Sequence, residues 1–394
     1  MKLFYLFIIT IFLHSCSFDN KSGIWENENI TYKESKKIYK EFEKISSSSE
    51  IFNEKIILNK KIKFKLFNPI KNKEWKDIFY DKNNNFNNFQ YTDENKTIHK
   101  SKKLTKYNVS LFPLYEDGNI ITSDQKGNII IYSIDQKKII SKFNFYKKQY
   151  KKIKKNLNLI VEDNNIYVSD NLGFLYSFNY TTNKIIWAKN YKIPFRSNLK
   201  LSTKYLFAAN QKNDLLIFDK KNGDTVKLIP TEDTSLKNDF RNNLSMDNDN
   251  LYFLNTYGSL YSVDINALRL NWFNNLNSSI NFNPSNLFSS NEIVNYRKKI
   301  LVTSDSTFFI IDKINGFVVN KYNFSSHIKP IVNGNFIFLV TNNNFLISLN
   351  MQNGKLIYSF DINEEISKSF KIKQGNIDIK NIIKINNNIY LFLK

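Results

Sequence analysis

Few residues of this sequence combine the types and the spacing that catalysis requires. Among 394 residues there is one cysteine, Cys16, and three histidines, His14, His99 and His327. Neither His99 nor His327 has a second histidine near it, and no carboxylate lies within four residues of either in sequence. The chain also lacks a glycine-rich phosphate loop, a Gly-x-Ser-x-Gly elbow and a cluster of metal-ligand residues. We therefore expect no enzyme, with no catalytic, cofactor-binding or metal-binding residues, and we interpret both histidines as packing or surface side chains.

Binding chemistry is better represented, in a motif that occurs twice. Phe195-Arg196-x-Asn198-Leu199 returns as Phe240-Arg241-x-Asn243-Leu244, and polar residues that include Asp233 lie between the two copies. An arginine beside an aromatic residue is frequent at protein interfaces. The alternative is that arginine recurs because it bonds the backbone of a neighbouring repeat. The residues that we predict to bind a partner are Phe195, Arg196, Glu232, Lys237, Phe240 and Arg241.

An internal repeat must position these segments. Each copy has an apolar strand that follows a polar turn, a second strand that ends at Asp or Asn, and a third strand. Helical repeats are excluded because the apolar runs are short and alternate. A spacing of 38 to 48 residues is typical of the four-stranded blades of a β-propeller. The copies align on Asp135, Asn179, Asp219, Asp264, Asp312 and Asn350.

We therefore predict an all-β chain with a single β-propeller, seven-bladed by repeat count, with eight blades as the alternative. A seventh, partial copy begins at Asn386 with one recognisable strand. An incomplete blade would leave an unpaired edge. Residues 51–70 alternate around Ile62, Phe64 and Leu66, and we expect them to complete the last blade. Each Phe-Arg segment precedes a blade, so we expect each to begin an innermost strand.

Two tryptophans and three glycines recur at fixed places in the repeats. Trp187 and Trp272 each follow the aligned Asn or Asp by eight residues, and we predict that they pack between neighbouring blades. The glycines follow asparagine and mark the outer hairpins, where the backbone needs a positive φ. They are Gly223, Gly316 and Gly354.

The N-terminus reads as an export signal. Residues 3–13 are almost wholly apolar and too few to span a bilayer, which is typical of a signal peptide over residues 1–15. Leu13-His14-Ser15-Cys16 resembles the bacterial lipobox. That resemblance implies a lipid on Cys16, and Ser17 in place of Asp implies sorting to the outer membrane. We interpret residues 16–50 as lipidated Cys and tether, and residues 51–394 as the propeller domain.

The formal net charge of +21 could indicate nucleic acid, a membrane surface or an acidic partner. Lysine, asparagine and isoleucine are enriched together along the whole chain, which indicates a compositional bias. No nucleic-acid-binding signature accompanies the charge, so we expect no nucleic-acid partner.

The repeats resemble the PQQ-type propeller family, whose motif is Asp-x-x-x-Gly-x-x-x-Trp. The copies at Asn179 and Asp264 keep the Trp but lose the Gly, whereas those at Asp219, Asp312 and Asn350 do the reverse. Together with the lipobox, residues 75–394 are similar to the BamB-like lipoproteins of outer-membrane assembly, although that family has eight blades. Trp75 and the Asn-rich stretch from Asn83 resemble the entry to the family's first blade, and the segments starting at Pro194 and Pro230 resemble its central blades.

The resemblance implies a scaffold that is lipid-anchored at the periplasmic face of the outer membrane. It would bind the outer-membrane β-barrel assembly protein and barrel precursors through propeller loops, without a cofactor. One alternative is a periplasmic receptor for an anionic glycan or lipid. Another is a PQQ-dependent dehydrogenase, which the absence of adjacent cysteines disfavours.

Overall fold

The computed structural model describes residues 17–18, 25–26, 52–59, 62, 64–92, 97, 99–232, 240–277, 287–371, 375 and 377–393. The chain divides into two units, Met1–Ile51 and Phe52–Lys394. In the first unit, Ser17–Phe18 (β1) and Trp25–Glu26 (β2) form an antiparallel pair. The predicted signal peptide, Cys16 and most of the tether lie outside the described residues.

The second unit is a β-propeller whose described residues form seven sheets, which we number as blades 1 to 7 in chain order. The first six have four antiparallel strands each, in sequence order. Blade 1 comprises Leu114–Glu116, Asn119–Ser123, Asn128–Ser133 and Lys138–Asn144 (β4–β7). Blade 2 comprises Leu157–Glu162, Asn165–Asp170, Phe174–Asn179 and Lys184–Asn190 (β8–β11). Blade 3 comprises Lys200–Leu201, Tyr205–Ala209, Leu215–Asp219 and Thr225–Ile229 (β12–β15). Blade 4 comprises Asn243–Met246, Asn250–Leu254, Ser259–Asp264 and Arg269–Asn275 (β16–β19). Blade 5 comprises Val294–Tyr296, Lys299–Thr303, Phe308–Asp312 and Val318–Tyr322 (β20–β23). Blade 6 comprises Ile331–Asn333, Phe336–Val340, Phe345–Asn350 and Leu356–Asp361 (β24–β27).

Burial within a blade follows the distance of a strand from the outer rim. Middle strands such as β9 and β25 are buried on both faces because neighbouring blades cover them, so they read as continuous apolar runs. Outer strands such as β11 are mostly exposed. In each of the first six blades the third and fourth strands shift register once, which is a bulge that increases the local twist. The shifts fall at 131/132, 177/178, 217/218, 262/263, 310/311 and 348/349.

Blade 7 is built differently, and here one sequence expectation is corrected. Ile379–Ile385 (β28) and Asn388–Leu393 (β29) are antiparallel, and Asn88–Phe89 (β3) pairs with β28 in parallel. Residues 51–70 do not supply this strand: Ile56 bridges to Ser359 in blade 6, and Ile70 bridges to Phe89. The edge of β28 that is not paired with β29 faces the channel, and residues 75–89, which include β3, pass there. A strand from this segment therefore pairs with β28 in place of one from residues 51–70. The repeat count of seven is confirmed.

The two tryptophans pack between blades as predicted. Trp187 donates its indole N–H to Lys220 O (3.0 Å) and lies over Gly223 of the next blade. Trp272 does the same with Lys313 O (3.2 Å) and Gly316. Both glycines have positive φ, and a Cβ on either would lie 2.3 to 2.4 Å from the indole.

Helix is scarce in the described part of this unit. An α-helix, Ile362–Phe370 (α1), begins where Asp361 accepts a bond from Glu364 N, and 3-10 turns cover Lys148–Tyr150 and residues 52–53. None of the helices in the described part of the chain has the length and hydropathy that crossing a bilayer would require.

Candidate partner-binding face

A single segment, residues 75–89, crosses the central channel and contacts the innermost strand of every blade; we call it the axial segment. Sequence resemblance placed Trp75 and the asparagines at the opening of the first blade, but only the start of the segment meets blade 1. Its contacts with blades 1 to 3 are Trp75 N to Tyr115 O (2.7 Å), Val161 N to Lys76 O (3.0 Å) and Lys200 Nζ to Asp77 Oδ2 (2.6 Å). Its contacts with blades 4 to 6 are Met246 N to Lys82 O (2.8 Å), Asn295 N to Asn83 O (3.1 Å) and Asn85 Nδ2 to Val332 O (2.9 Å). Blade 7 is contacted through the pairing of β3 with β28. The axial segment thus forms the floor of the channel.

Buried asparagine amides hold this floor in place. Asn84 Nδ2 donates to Leu244 O and Ile293 O, each at 2.8 Å, which ties blades 4 and 5 together. Asn85 Oδ1 accepts from Val332 N at 2.9 Å, so this one side chain pairs with blade 6 as a strand residue would. An amide offers both a donor and an acceptor, which suits it to unpaired inner-strand backbone.

Two lysines are buried against the floor. Lys200 Nζ bonds Asp77 Oδ2 (2.6 Å) and Asn84 Oδ1 (2.5 Å). Burial lowers the pKa of Lys200, although Asp77 opposes the shift. Lys329 Nζ donates to Asn84 O (2.7 Å) and lies 3.7 Å from the centroid of Phe86. Burial lowers the pKa of Lys329 to about 7, and the nearby charges of Glu292 and Asp77 offset this shift only in part.

The two Phe-Arg segments lie side by side and lead into the innermost strands β12 and β16. Asn242 N donates to Arg196 O (2.9 Å), and Ser197 bridges to Asn242 in parallel. Phe195 is 2% exposed and packs against Phe218, so its side chain supports the loop from inside. Arg196 and Phe240 are half-buried, whereas Arg241 is exposed.

The asparagine of the repeated motif has a structural role that the sequence interpretation missed. Asn198 Oδ1 accepts from Leu244 N, and its Nδ2 donates to Leu244 O, both at 2.9 Å. Asn243 reaches the next blade in the same direction, with bonds to Ser290 Oγ (2.9 Å) and Asn291 O (3.1 Å). The signal was available, since both copies of the motif contain this asparagine.

Glu232 anchors one blade to the next. Its carboxylate accepts bonds from Asn255 Nδ2 (2.8 Å), Ser259 Oγ (2.7 Å) and Tyr261 OH (2.5 Å), all in blade 4. Burial opposes its charge, but these bonds prevail and hold the pKa of Glu232 below its usual value. The other predicted loop residues, Asp233 and Lys237, lie outside the described residues.

The open end of the channel holds two adjoining cavities. The first, of about 300 Å³, is lined by Arg241, Lys154 and Lys155 among others. The second, of about 630 Å³, includes His327, Lys329 and Glu292. Both are bordered by Ile78, Leu111 and Phe112. We call this surface the channel mouth and define it by Ile78, Leu111, Phe112, Arg241, His327 and Lys329.

The channel mouth combines apolar and cationic side chains. Leu111 is 88% exposed, and Phe112 and Arg241 are also exposed. Exposed apolar side chains beside an arginine are what a protein interface uses. Leu111 and Phe112 were not singled out in the sequence, because they precede the first blade and belong to no repeat.

The two histidines of the described residues, His99 and His327, have different surroundings. His99 Nε2 lies 2.5 Å from Tyr132 OH and the two rings stack, whereas His327 is exposed at the channel mouth. Within the described ranges, no three His, Cys, Asp or Glu side chains are grouped so that they could hold a metal ion.

Comparison with known proteins bears on the whole array. A family profile described as the outer membrane protein assembly factor BamB matches residues 101–322, more than half of the chain and all of blades 1 to 5. This chain belongs to the BamB family. The resemblance noted from the sequence is thereby confirmed. No curated protein sequence matches the chain.

Solved structures agree on the propeller fold. BamB from Moraxella catarrhalis aligns with a TM-score of 0.53 at 12% identity, over 70% of this chain and 78% of that one. The quinohemoprotein alcohol dehydrogenase from Comamonas testosteroni aligns with a TM-score of 0.60 at 11% identity, over 81% and 70%. The computationally designed Ika8 protein aligns with a TM-score of 0.52 at 8% identity, over 73% and 82%. Such identities show a shared fold alone.

Proposed function

We propose that this BamB-family chain is a non-enzymatic scaffold lipoprotein of the outer-membrane β-barrel assembly machinery. It is held at the periplasmic face by a lipid on Cys16 and docks an assembly partner through the channel mouth. The observation that carries the proposal is the family match over residues 101–322, which contains both Phe-Arg segments.

The geometry supports docking at this face. Arg241 is exposed beside Leu111 and Phe112, so a partner loop could bury the apolar pair and place a carboxylate on the guanidinium. A charge-assisted hydrogen bond of this kind contributes about 1.5 to 3 kcal/mol. Arg196 and Phe240, both half-buried, would shape the adjacent loops, and Phe195 and Glu232 would fix them to the blades.

The test is affinity purification of the tagged, full-length chain from solubilised outer membranes, with identification by mass spectrometry. We expect a stoichiometric large β-barrel protein that carries periplasmic repeat domains. Recovery of the tagged chain without such a protein would overturn the proposal.

A second candidate function has one observation in its favour. Arg241, Lys154 and Lys155 line the same 300 Å³ cavity, which would suit an anionic glycan or lipid headgroup. Such binding would collapse with added salt, since opposite charges near a surface are screened. Titration of the purified protein with anionic lipid vesicles at 50 and 500 mM salt tests this; salt-independent or absent binding excludes it.

The quinohemoprotein neighbour makes a dehydrogenase the remaining alternative. We expect purified protein to show neither quinone absorbance nor dye reduction with alcohols. A bound quinone would contradict the scaffold proposal.

A further inference from the structure

An apolar groove of about 560 Å³ lies between blades 6 and 7, away from the channel mouth. One wall is formed by blade 6, with Phe338 of β25 and Tyr358 of β27, and the other includes Ile389 of β29. Phe64 and Leu66 cover part of it, and Phe64 packs edge-on against Phe336 at 4.6 Å between ring centroids.

The groove exists because blade 7 is narrower than the others. In blades 2 and 4 a tryptophan on the outer strand stacks on the outer hairpin of the next blade, as Trp187 does on Gly223. Tyr358 holds the corresponding place, eight residues after the aligned Asn350. In the described residues blade 7 has only β29, β28 and β3, so Tyr358 meets Phe64 instead (6.0 Å between centroids).

The outer edge of β29 offers backbone for pairing. No strand among the described residues bonds this edge. Tyr390, Phe392 and Leu393 are exposed along it. An exposed apolar edge strand is a template for the addition of another strand.

A buried charge supplies a second, independent observation. Lys384 of β28 is 1% exposed and lines the groove, and its Nζ has no hydrogen-bond partner among the described residues. The amine lies 5.3 Å from the centroid of Phe338. A buried polar group without a partner is costly, so this position calls for an acceptor.

Strand geometry says where that acceptor would come from. Lys384 pairs with Ile389, so their side chains share the sheet face that lines the groove. A residue opposite Ile389 on an added strand would continue the same row. We propose that the groove receives an extended strand of a partner protein, which pairs with β29, buries alternate apolar side chains and places a carboxylate against Lys384.

The titration of Lys384 agrees with this geometry. Burial lowers the pKa of Lys384 to about 8, so the ammonium is favoured over the neutral amine only about tenfold at pH 7. An incoming carboxylate would stabilise the charged form and raise that pKa. Binding of an acidic strand should therefore weaken as the pH rises above about 8.

Blade 6 supplies a probe. In blade 6, Val332, Ile337 and Leu349 lie opposite one another on three successive strands. Val332 and Ile337 correspond to Lys384 and Ile389 of blade 7, so Leu349 corresponds to the residue that an added strand would place opposite Ile389. A synthetic peptide of residues 343–361, the outer hairpin of blade 6, is made in its natural form and with Leu349→Glu. Both are titrated against full-length protein, Lys384→Met, and Lys380→Met as a control from an exposed site on the same strand.

We expect the Leu349→Glu peptide to bind the unchanged protein and Lys380→Met at least tenfold more tightly than Lys384→Met. The natural peptide should bind Lys384→Met at least as well as the unchanged protein. Hydrogen exchange should slow at the amides of β29 in the complex. Equal affinity of the acidic peptide for all three proteins, or binding without protection of β29, would overturn the proposal. Arg241→Ala should leave peptide binding unchanged, so this test stands apart from that of the channel mouth.

Discussion

Trp187 and Gly223 show at the scale of single residues why the repeat motif looks degenerate in sequence. The tryptophan of one blade rests on the glycine of the next, so the two halves of the motif act across a blade boundary. Blades 2 and 3 therefore share one complete motif, as do blades 4 and 5 through Trp272 and Gly316. A copy whose tryptophan contacts the next blade can therefore lack the glycine, and the next copy, which supplies that glycine, can lack the tryptophan.

This contact predicts that Gly223→Ala is strongly destabilising. The position has φ +75° and an added Cβ would lie 2.3 Å from Trp187 Cε3, so both backbone and packing are strained. We expect the free energy of unfolding to fall by about 2 to 3 kcal/mol, measured by chemical denaturation. Gly375→Ala is the matched control, since nothing lies within 4 Å of its Cβ. Equal stability of the two variants would show that the Trp–Gly contact is not a determinant.

Lys329 predicts a pH dependence of stability. Its pKa is about 7 in the folded protein and 10.5 when exposed, so the unfolded state binds more protons between these values. Stability should therefore rise with pH from about 7 towards 10, by at most about 1.4 kcal/mol per pH unit. Denaturation at pH 6, 8 and 9 should show that any advantage of Lys329→Met over the unchanged protein shrinks as the pH rises. Lys142→Met, on the exposed face of β7, controls for loss of a lysine; a pH-independent difference for Lys329→Met would contradict the burial argument.

The sequence could predict some of these residues and not others. Trp187, the turn glycines and the paired Phe-Arg segments recur at fixed spacing, so comparison of the repeats locates them. Lys200, Lys329 and Lys384 could not be found that way. A lysine in a lysine-rich chain carries no signal of burial, and only the fold brings them against the axial segment or the groove.

At the scale of elements, the axial segment is the feature that organises the ring. Its residues bond inner strands from blade 1 to blade 7, and the partners in blade 7 lie almost 300 positions away in sequence. It has no apolar alternation, because its asparagines pair through side chains as well as backbone. This is why sequence reasoning assigned the closure to residues 51–70, which do alternate, and missed Asn88–Phe89.

The axial segment predicts that Asn84→Ala weakens the whole propeller. Asn84 bonds Leu244 O, Ile293 O and Lys200 Nζ, all buried, and its loss leaves each without that partner. We expect the free energy of unfolding to fall by about 3 kcal/mol. Asn87→Ala is the control in the same segment, where one bond to Tyr80 OH is lost. Comparable denaturation midpoints for the two variants would mean that the channel floor contributes little.

At the scale of the whole molecule, seven repeats give seven blades, and the period alone was sufficient for the fold. Only part of the channel mouth could be predicted from the sequence. Arg241 belongs to a repeated motif, but Leu111 and Phe112 reach the same surface from outside the repeats.

Membrane attachment is a prediction for the intact chain. The leader and the lipobox-like residues predict that Cys16 is acylated and that Cys16→Ser is not. Mass spectrometry of the mature N-terminus and fractionation of cells test this. The variant should leave the membrane fraction, and an unchanged membrane fraction would contradict a lipid anchor at Cys16.

The most direct test of the scaffold account compares partner recovery by three arginine variants in solubilised outer membranes. Arg241→Ala removes one exposed cation from the channel mouth, and adding Arg196→Ala removes its neighbour. Arg269→Ala, on the exposed outer strand β19, is the control. We expect Arg241→Ala to weaken binding of the large β-barrel partner by about 10- to 100-fold, and the double variant to bind more weakly still. Arg269→Ala should bind normally, and the melting temperature of Arg241→Ala should be unchanged. Equal recovery by Arg241→Ala and Arg269→Ala, or the absence of any such barrel from the unchanged protein, would contradict it.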